Sequence, residues 1–213
     1  MVAVNSENNI VNLRGELSKE LVFSHEIFGE KFYNIDIKIK RLSESYDVLP
    51  ITISERLIQD INMEKDNTVD VSGQLRSYNK SIDEKNRLIL TVFAREISVL
   101  EDEESKDPNS IFLDGYICKE PVYRQTPLGR EITDLLIAIN RPYNKSDYIP
   151  SIVWGRNAKF AKTLKVGDRI QLWGRVQSRE YEKTLETGEV LKKVAYEVSI
   201  SKIRKLNENN NEE

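Results

Sequence analysis

Asp47-Val48-Leu49-Pro50 and Asp147-Tyr148-Ile149-Pro150 stand one hundred residues apart in a chain of 213. Working outward from these two stretches, the offset persists. Leu13-Arg14-Gly15 answers to Leu113-Asp114-Gly115, Gly29 to Gly129, Arg41 to Arg141 and Arg56 to Arg156. Val71-Ser72-Gly73 matches Leu172-Trp173-Gly174 at an offset of 101. So many matches in one register mean two copies of one unit. The join, residues 101–110, is polar, charged and contains Pro108, as suits a linker. This divides the chain into a first domain at 1–100, a linker at 101–110, a second domain at 111–206 and a short polar tail at 207–213.

The hydrophobic period within each copy is two. Ile35, Ile37 and Ile39 alternate with Asp36, Lys38 and Lys40, and Tyr196, Val198 and Ile200 alternate with Glu197, Ser199 and Ser201. Such alternation predicts half-buried strands. The second copy has five strand candidates, at 111–122, 131–141, 148–155, 169–179 and 190–204. A short helix is predicted over 157–164, closed by Lys165-Val166-Gly167-Asp168, and Thr187-Gly188 marks a hairpin tip. The first copy fits the same scheme, with its helix at 55–62. Five strands with one helix between the third and fourth is the order of the OB-fold, a small Greek-key barrel. The expected fold is therefore all-β, two tandem five-stranded OB-fold barrels.

Composition narrows the function classes. Hydrophobic residues make up 39% and charged residues 31% of the chain. Charges recur too often to leave an apolar run that spans a bilayer. Residues 1–10 lack a basic then apolar secretory pattern, so the expected compartment is the cytoplasm. One cysteine, Cys118, excludes an internal disulfide framework, and with one histidine, His25, no Cys- or His-based metal site or His-dependent triad is expected. No cofactor is implied. The net charge of −3 is an average. Residues 1–104 hold 13 Lys+Arg against 20 Asp+Glu, a net of −7, whereas residues 111–206 hold 18 against 11, a net of +7. A basic half joined to an acidic half points to one half that meets a polyanion.

The second copy resembles the bacterial single-stranded DNA-binding protein family. The resemblance rests on Leu113-Asp114-Gly115-Tyr116-Ile117, Pro121, Thr126-Pro127-Leu128-Gly129 and Ile137-Ala138-Ile139-Asn140-Arg141. It continues through 148–158, Lys165-Val166-Gly167-Asp168 and 173–181, and so covers nearly all of 111–206. The first copy shares mainly the framework. The resemblance implies a non-enzymatic protein that holds single strands without sequence preference during replication, recombination or repair.

A sequence-tolerant binder of single strands needs flat side chains for bases and a basic groove for phosphates. At the positions where the family carries its stacking rings this chain has Tyr143, Tyr148, Trp154 and Tyr181. Around them stand Arg124, Arg130, Arg141 and Lys145, then Arg156, Lys159, Arg175 and Arg179, as candidate phosphate contacts. The corresponding positions of the first copy are Ser43, Val48, Ser54 and Lys80, none aromatic. The first barrel is therefore expected to serve folding or assembly, with Tyr46 and Tyr78 as its remaining surface rings. Cys118 reads as a small buried hydrophobe and His25 as a surface residue.

Family members usually end in a flexible tail with an acidic, apolar tip that recruits replication or recombination proteins. Here the last residues are polar and lack a terminal Phe, which puts such partners in doubt. Because the family usually assembles four barrels, two per chain imply a homodimer. Other readings stay open. One is a primosome or mobile-element accessory protein that binds DNA weakly and a protein partner through the first barrel. Another is RNA as the ligand. An OB-fold nuclease would need a carboxylate cluster for metal, and Asp134, Asp147 and Asp168 fall on different elements.

Overall fold

Ile35, Ile37 and Ile39 are buried, as are Leu49, Ile51 and Ile53 across from them, and the alternation expected from the sequence is realised as paired strands. The computed structural model describes residues 8–82, 85–100, 108–184 and 188–206. The first half contains β1 (Asn9–Leu17), β2 (Val22–Ile27), β3 (Glu30–Lys40), β4 (Tyr46–Ser54), β5 (Thr68–Ile82) and β6 (Lys85–Leu100). The second contains β7 (Asn109–Ile117), β8 (Val122–Gln125), β9 (Glu131–Arg141), β10 (Lys145–Trp154), the helix α1 (Gly155–Ala161), β11 (Arg169–Thr184) and β12 (Val190–Lys205).

The strands form one sheet in the order β2-β3-β4-β6-β5-β1-β7-β11-β12-β10-β9-β8. Two further pairings, β1 with β3 and β7 with β9, close each half on itself. Each closed ring holds five strands, as expected for the fold. The sixth strand of each half, β2 or β8, hangs on the outer edge of β3 or β9. The strand expected over 111–122 is thus two strands. Cys118 turns inward to donate its N–H to Leu136 O at 3.0 Å, and Pro121 has no N–H to continue the ladder.

Closure depends on glycine. A Cβ on Gly115 would stand 2.5 Å from the carbonyl oxygen of Ala138, so β7 can cross β9 only without one. Gly15 meets Lys38 O in the same way at the equivalent place.

Antiparallel pairing of β1 with β7 joins the halves, with Val11 opposite Ile111. Asn9 binds both Leu75 N and Leu75 O through its side chain, and Asn109 does the same to Val176, at 2.7–2.9 Å. Asn109 and Ser110 therefore belong to β7 and not to the linker expected over 101–110. Residues 101–107, the tail 207–213 and Thr187 of the expected hairpin tip lie outside the described residues.

The two copies differ at the helix. In the second, α1 begins at Gly155, whose φ is +57°, and buries Ala158 and Ala161 against the core. It stops three residues short of the expected 164. In the first, the helix expected over 55–62 shrinks to a 3-10 turn at Glu55–Leu57, capped by Ser54 Oγ accepting from Arg56 N. Ile58-Gln59-Asp60-Ile61-Asn62 combines β-branched residues with Asp and Asn, which disfavour the helix interior, and offers no small residues to bury. Among the described residues no helix is long and apolar enough to cross a membrane.

Candidate nucleic-acid interface

The strand β10 carries Ile149, Ser151 and Val153 on one face and Tyr148, Pro150, Ile152 and Trp154 on the other, where Ile152 is buried and Tyr148 and Trp154 are exposed. Pairing aligns this second set with its neighbours. Ile152 faces Ser199 of β12 on one side and Asp134 of β9 on the other, Ser199 faces Arg175 of β11, and Asp134 faces Val122 of β8. One row thus crosses five strands. Along β11, the residues sharing a face with Arg175 are Gln177, Arg179 and Tyr181.

Rings stand on this surface. Tyr148 is 45% exposed, Trp154 39% and Tyr181 38%. Tyr143 is 95% exposed at the tip of the β9–β10 hairpin, where it and Asn144 adopt φ of +62° and +53°. That left-handed pair turns the chain back and leaves the phenol in solvent. Arg179 lies over the Tyr181 ring at 5.8 Å and within 3.7 Å of Glu197. Trp173, in contrast, packs on Phe112 of β7 at 5.2 Å, with Lys202 and Arg204 over it.

The eight basic residues divide into two sets. Arg124 is paired with Asp134 at 2.7 Å, and that carboxylate raises the Arg124 pKa through the hydrogen bond. Arg141 reaches Asp147 at 3.3 Å and Lys159 reaches Glu131 at 3.1 Å. Glu131 also accepts from Tyr123 OH at 2.7 Å, and these bonds hold its carboxyl below the ordinary range. Arg130, at the β8–β9 turn, Lys145, at the β9–β10 hairpin, and Arg156, on α1, are exposed and have no ion-pair partner among the described residues. Arg175 touches Gln177 at 3.3 Å and lies 3.9 Å from Asp47.

The three carboxylates weighed for metal chemistry are held apart. Asp134 is taken by Arg124, Asp147 by Arg76 and Arg141, and Asp168 by Lys205 at 2.6 Å. Among the described residues no three His, Cys, Asp or Glu side chains gather as a metal site.

The equivalent face of the first barrel is different. Val48 is exposed where Tyr148 stands, and Ser54, at the place of Trp154, is buried and bonded to Glu30. Phe93 takes the register position of Ser199, since it faces Thr52 as Ser199 faces Ile152. It packs on Phe32 at 5.8 Å, and His25 stacks on the same ring at 4.9 Å. His25 is at the surface, as expected, but its ring is engaged. Tyr46 sits under Lys38 at 4.2 Å, and Tyr78 is exposed. Cys118 is half-buried, with its thiol donating to Leu136 O and its pKa raised by burial.

Reading the sequence missed what binds the barrels side by side. Asp47 and Asp147 are both buried, and each serves the other barrel. Asp147 Oδ1 accepts from Ser77 N at 2.8 Å and Oδ2 from Arg76 Nη1 at 3.0 Å. Asp47 Oδ1 accepts from Ser178 N at 2.7 Å, and its carboxylate also holds Arg41. The signal was present in the recurrence of Asp47 and Asp147, but its meaning needs the partner barrel.

Residues 108–206, just under half of the chain, match the sequence model of the Single-strand binding protein family. Single-stranded DNA-binding protein 3 of Listeria innocua is 36% identical over 81 residues, covering 35% of this chain and 51% of that protein. Single-stranded DNA-binding protein A of Bacillus subtilis is 33% identical over 81 residues, covering 35% and 47%. The chain spans about half the length of the curated relatives it matches. The wild-type single-stranded DNA binding protein from Thermus aquaticus superposes with a TM-score of 0.73 at 18% identity, over 96% of both chains, and so shares the two-barrel fold. The N-terminal domain of PriB protein from Thermoanaerobacter tencongensis is 52% identical over 45% of this chain and all of that one, at a TM-score of 0.40. Through residues 108–206 the chain is a relative of the single-strand binding protein family.

Proposed function

We propose that this chain, whose second barrel is related to the single-strand binding protein family, binds single-stranded DNA without sequence preference and without catalysing a reaction on it. The observation that carries the reading is the set of partly exposed rings, Tyr148 and Trp154 on β10 and Tyr181 on β11, on an outward face bordered by basic groups. Every base has a flat face, so stacking on such rings tolerates any sequence. Tyr143 extends the set beyond the hairpin tip. Arg130, Lys145 and Arg156 meet phosphates directly. Arg124, Arg141, Lys159, Arg175 and Arg179 must first exchange a carboxylate for a phosphate, and so add less. The first barrel contributes assembly rather than stacking, and two chains associate as a twofold dimer, the commonest symmetric state of soluble proteins. Light scattering at twice the chain mass supports that state, and a monomer at micromolar concentration refutes it.

The test is a tryptophan-emission titration with single-stranded DNA, duplex DNA and single-stranded RNA at two salt concentrations. Quenching by the single strand, weaker binding of duplex and loss of affinity at the higher salt support the reading. Equal binding of duplex, or no quench at any concentration, overturns it. An RNA preference would keep the face and change the ligand.

A further inference from the structure

We propose that Ser77 of the first barrel is a positioning residue for the stacking ring of Tyr148 in the second, so that the first barrel works as a template for a site it does not itself contain. This inference rests on the reading of the β10 face as a single-strand binding surface.

The backbone accounting points to it. One edge of β10 pairs with β9 from Lys145 to Trp154, but the other pairs with β12 only over Ser151–Val153. The N-terminal part of that edge has no strand of its own barrel beside it. Ser77 of β5 occupies the place. Its Oγ accepts from Tyr148 N at 2.7 Å, and its own N–H donates to Asp147 Oδ1 at 2.8 Å. Two successive residues of β10 are therefore gripped by one residue of the other barrel. Arg76 adds its bond to Asp147, and burial lowers the pKa of that guanidinium, as fits a bridge largely removed from water. Ser77 and Asp147 are both buried.

The equivalent contact in the other direction is a built-in comparison. Ser178 Oγ accepts from Val48 N at 3.2 Å, and Ser178 N donates to Asp47. The same device thus holds Val48, where no ring is present, while Ser178 itself lies on β11 between Gln177 and Arg179. On each of the two ring-bearing strands of the second barrel, a backbone group is fixed by the first barrel. Fixing the backbone of a stacking residue restricts the directions its ring can sample, so less order has to be imposed when a base arrives.

The experiment is a double-mutant cycle in the full chain, read by titration with an oligonucleotide carrying 2-aminopurine. Ser77→Ala removes the acceptor for Tyr148 N and is expected to weaken single-strand binding several-fold, with faster hydrogen exchange at the Tyr148 amide. Ser77→Thr keeps a hydroxyl and restores affinity. In a Tyr148→Ala background, Ser77→Ala is expected to cost almost nothing further, because the ring it positions is gone. In a Tyr181→Ala background its cost should stay whole. If Ser77→Ala costs the same with and without the Tyr148 ring, or costs nothing in a folded protein, the positioning role is overturned while single-strand binding stands. If Tyr148→Ala itself leaves affinity unchanged, the reading of the face falls and this inference with it. Should Ser77→Ala fail to fold, Ser77→Cys, which keeps the volume and accepts only weakly, enters the same cycle with the same expectations.

Discussion

Val11 and Ile111 face each other in the antiparallel ladder between β1 and β7, and they are equivalent residues of the two repeats. On either side the partners exchange roles, so that Ile10 opposite Phe112 mirrors Asn12 opposite Ser110. A pseudo-twofold axis therefore passes between Val11 and Ile111. The same axis relates Asp47 on Ser178 to Asp147 on Ser77, and it explains why each clasp has a copy. Symmetry of framework coexists with asymmetry of surface, and the following expectations separate the two.

On the proposed reading Trp154 stacks on a base, so Trp154→Ala should weaken single-strand binding by roughly 1–3 kcal/mol and abolish most of the emission quench. Trp173 is engaged with Phe112 and two cations, so Trp173→Phe should leave the quench largely intact. A quench that follows Trp173 instead of Trp154 would place the ligand on the β7 side of the sheet.

On the proposed reading, the three basic residues without an ion-pair partner among the described residues, Arg130, Lys145 and Arg156, meet phosphates. With roughly −0.7 per contact on a single strand, log K against log salt should slope at about −2. Arg156→Ala should reduce the slope by about 0.7. Titration at four or more salt concentrations measures both, and a slope near zero would remove these groups from the groove.

Asp147 is buried and holds a backbone N–H and two guanidinium groups. Asp147→Ala leaves them without a counter-charge and should destabilise the protein by about 3–5 kcal/mol. Asp134→Ala breaks a pair whose side chains are 39–50% exposed and should cost less than about 1 kcal/mol. Urea unfolding of both variants provides the comparison. Equal losses would mean that the clasp contributes no more than a surface pair.

Lys205 and the Lys165 backbone N–H hold the Asp168 carboxyl below its ordinary range. A depressed folded-state pKa adds stability that is present above the unfolded value, near 3.9, and lost as pH falls through the folded value. Asp168→Asn should therefore lower Tm at pH 7, with the gap to the parent closing below about pH 4. A gap that persists at pH 2 would assign the effect to packing.

The sequence by itself determined the parts that depend on spacing along the chain. Alternation at Ile35, Ile37 and Ile39 sets which face is buried, because a strand repeats every two residues wherever it lies. The hundred-residue offset defines two barrels, and Tyr143, Tyr148, Trp154 and Tyr181 stand out because they fall where the resemblance places stacking rings, among cations. Tertiary structure decided what depends on cross-strand register between distant segments. Which of eight cations are free follows from which carboxylates stand beside them, as Arg141 beside Asp147 and Arg130 beside none among the described residues. That Asp47 reaches Ser178, 131 residues away, as well as Arg41 of its own barrel follows from the β1–β7 pairing, which no local period encodes. The helix lost after Ser54 was decided likewise, since Ala158 and Ala161 earn a helix by fitting a pocket of the core, and the first barrel offers no such small pair.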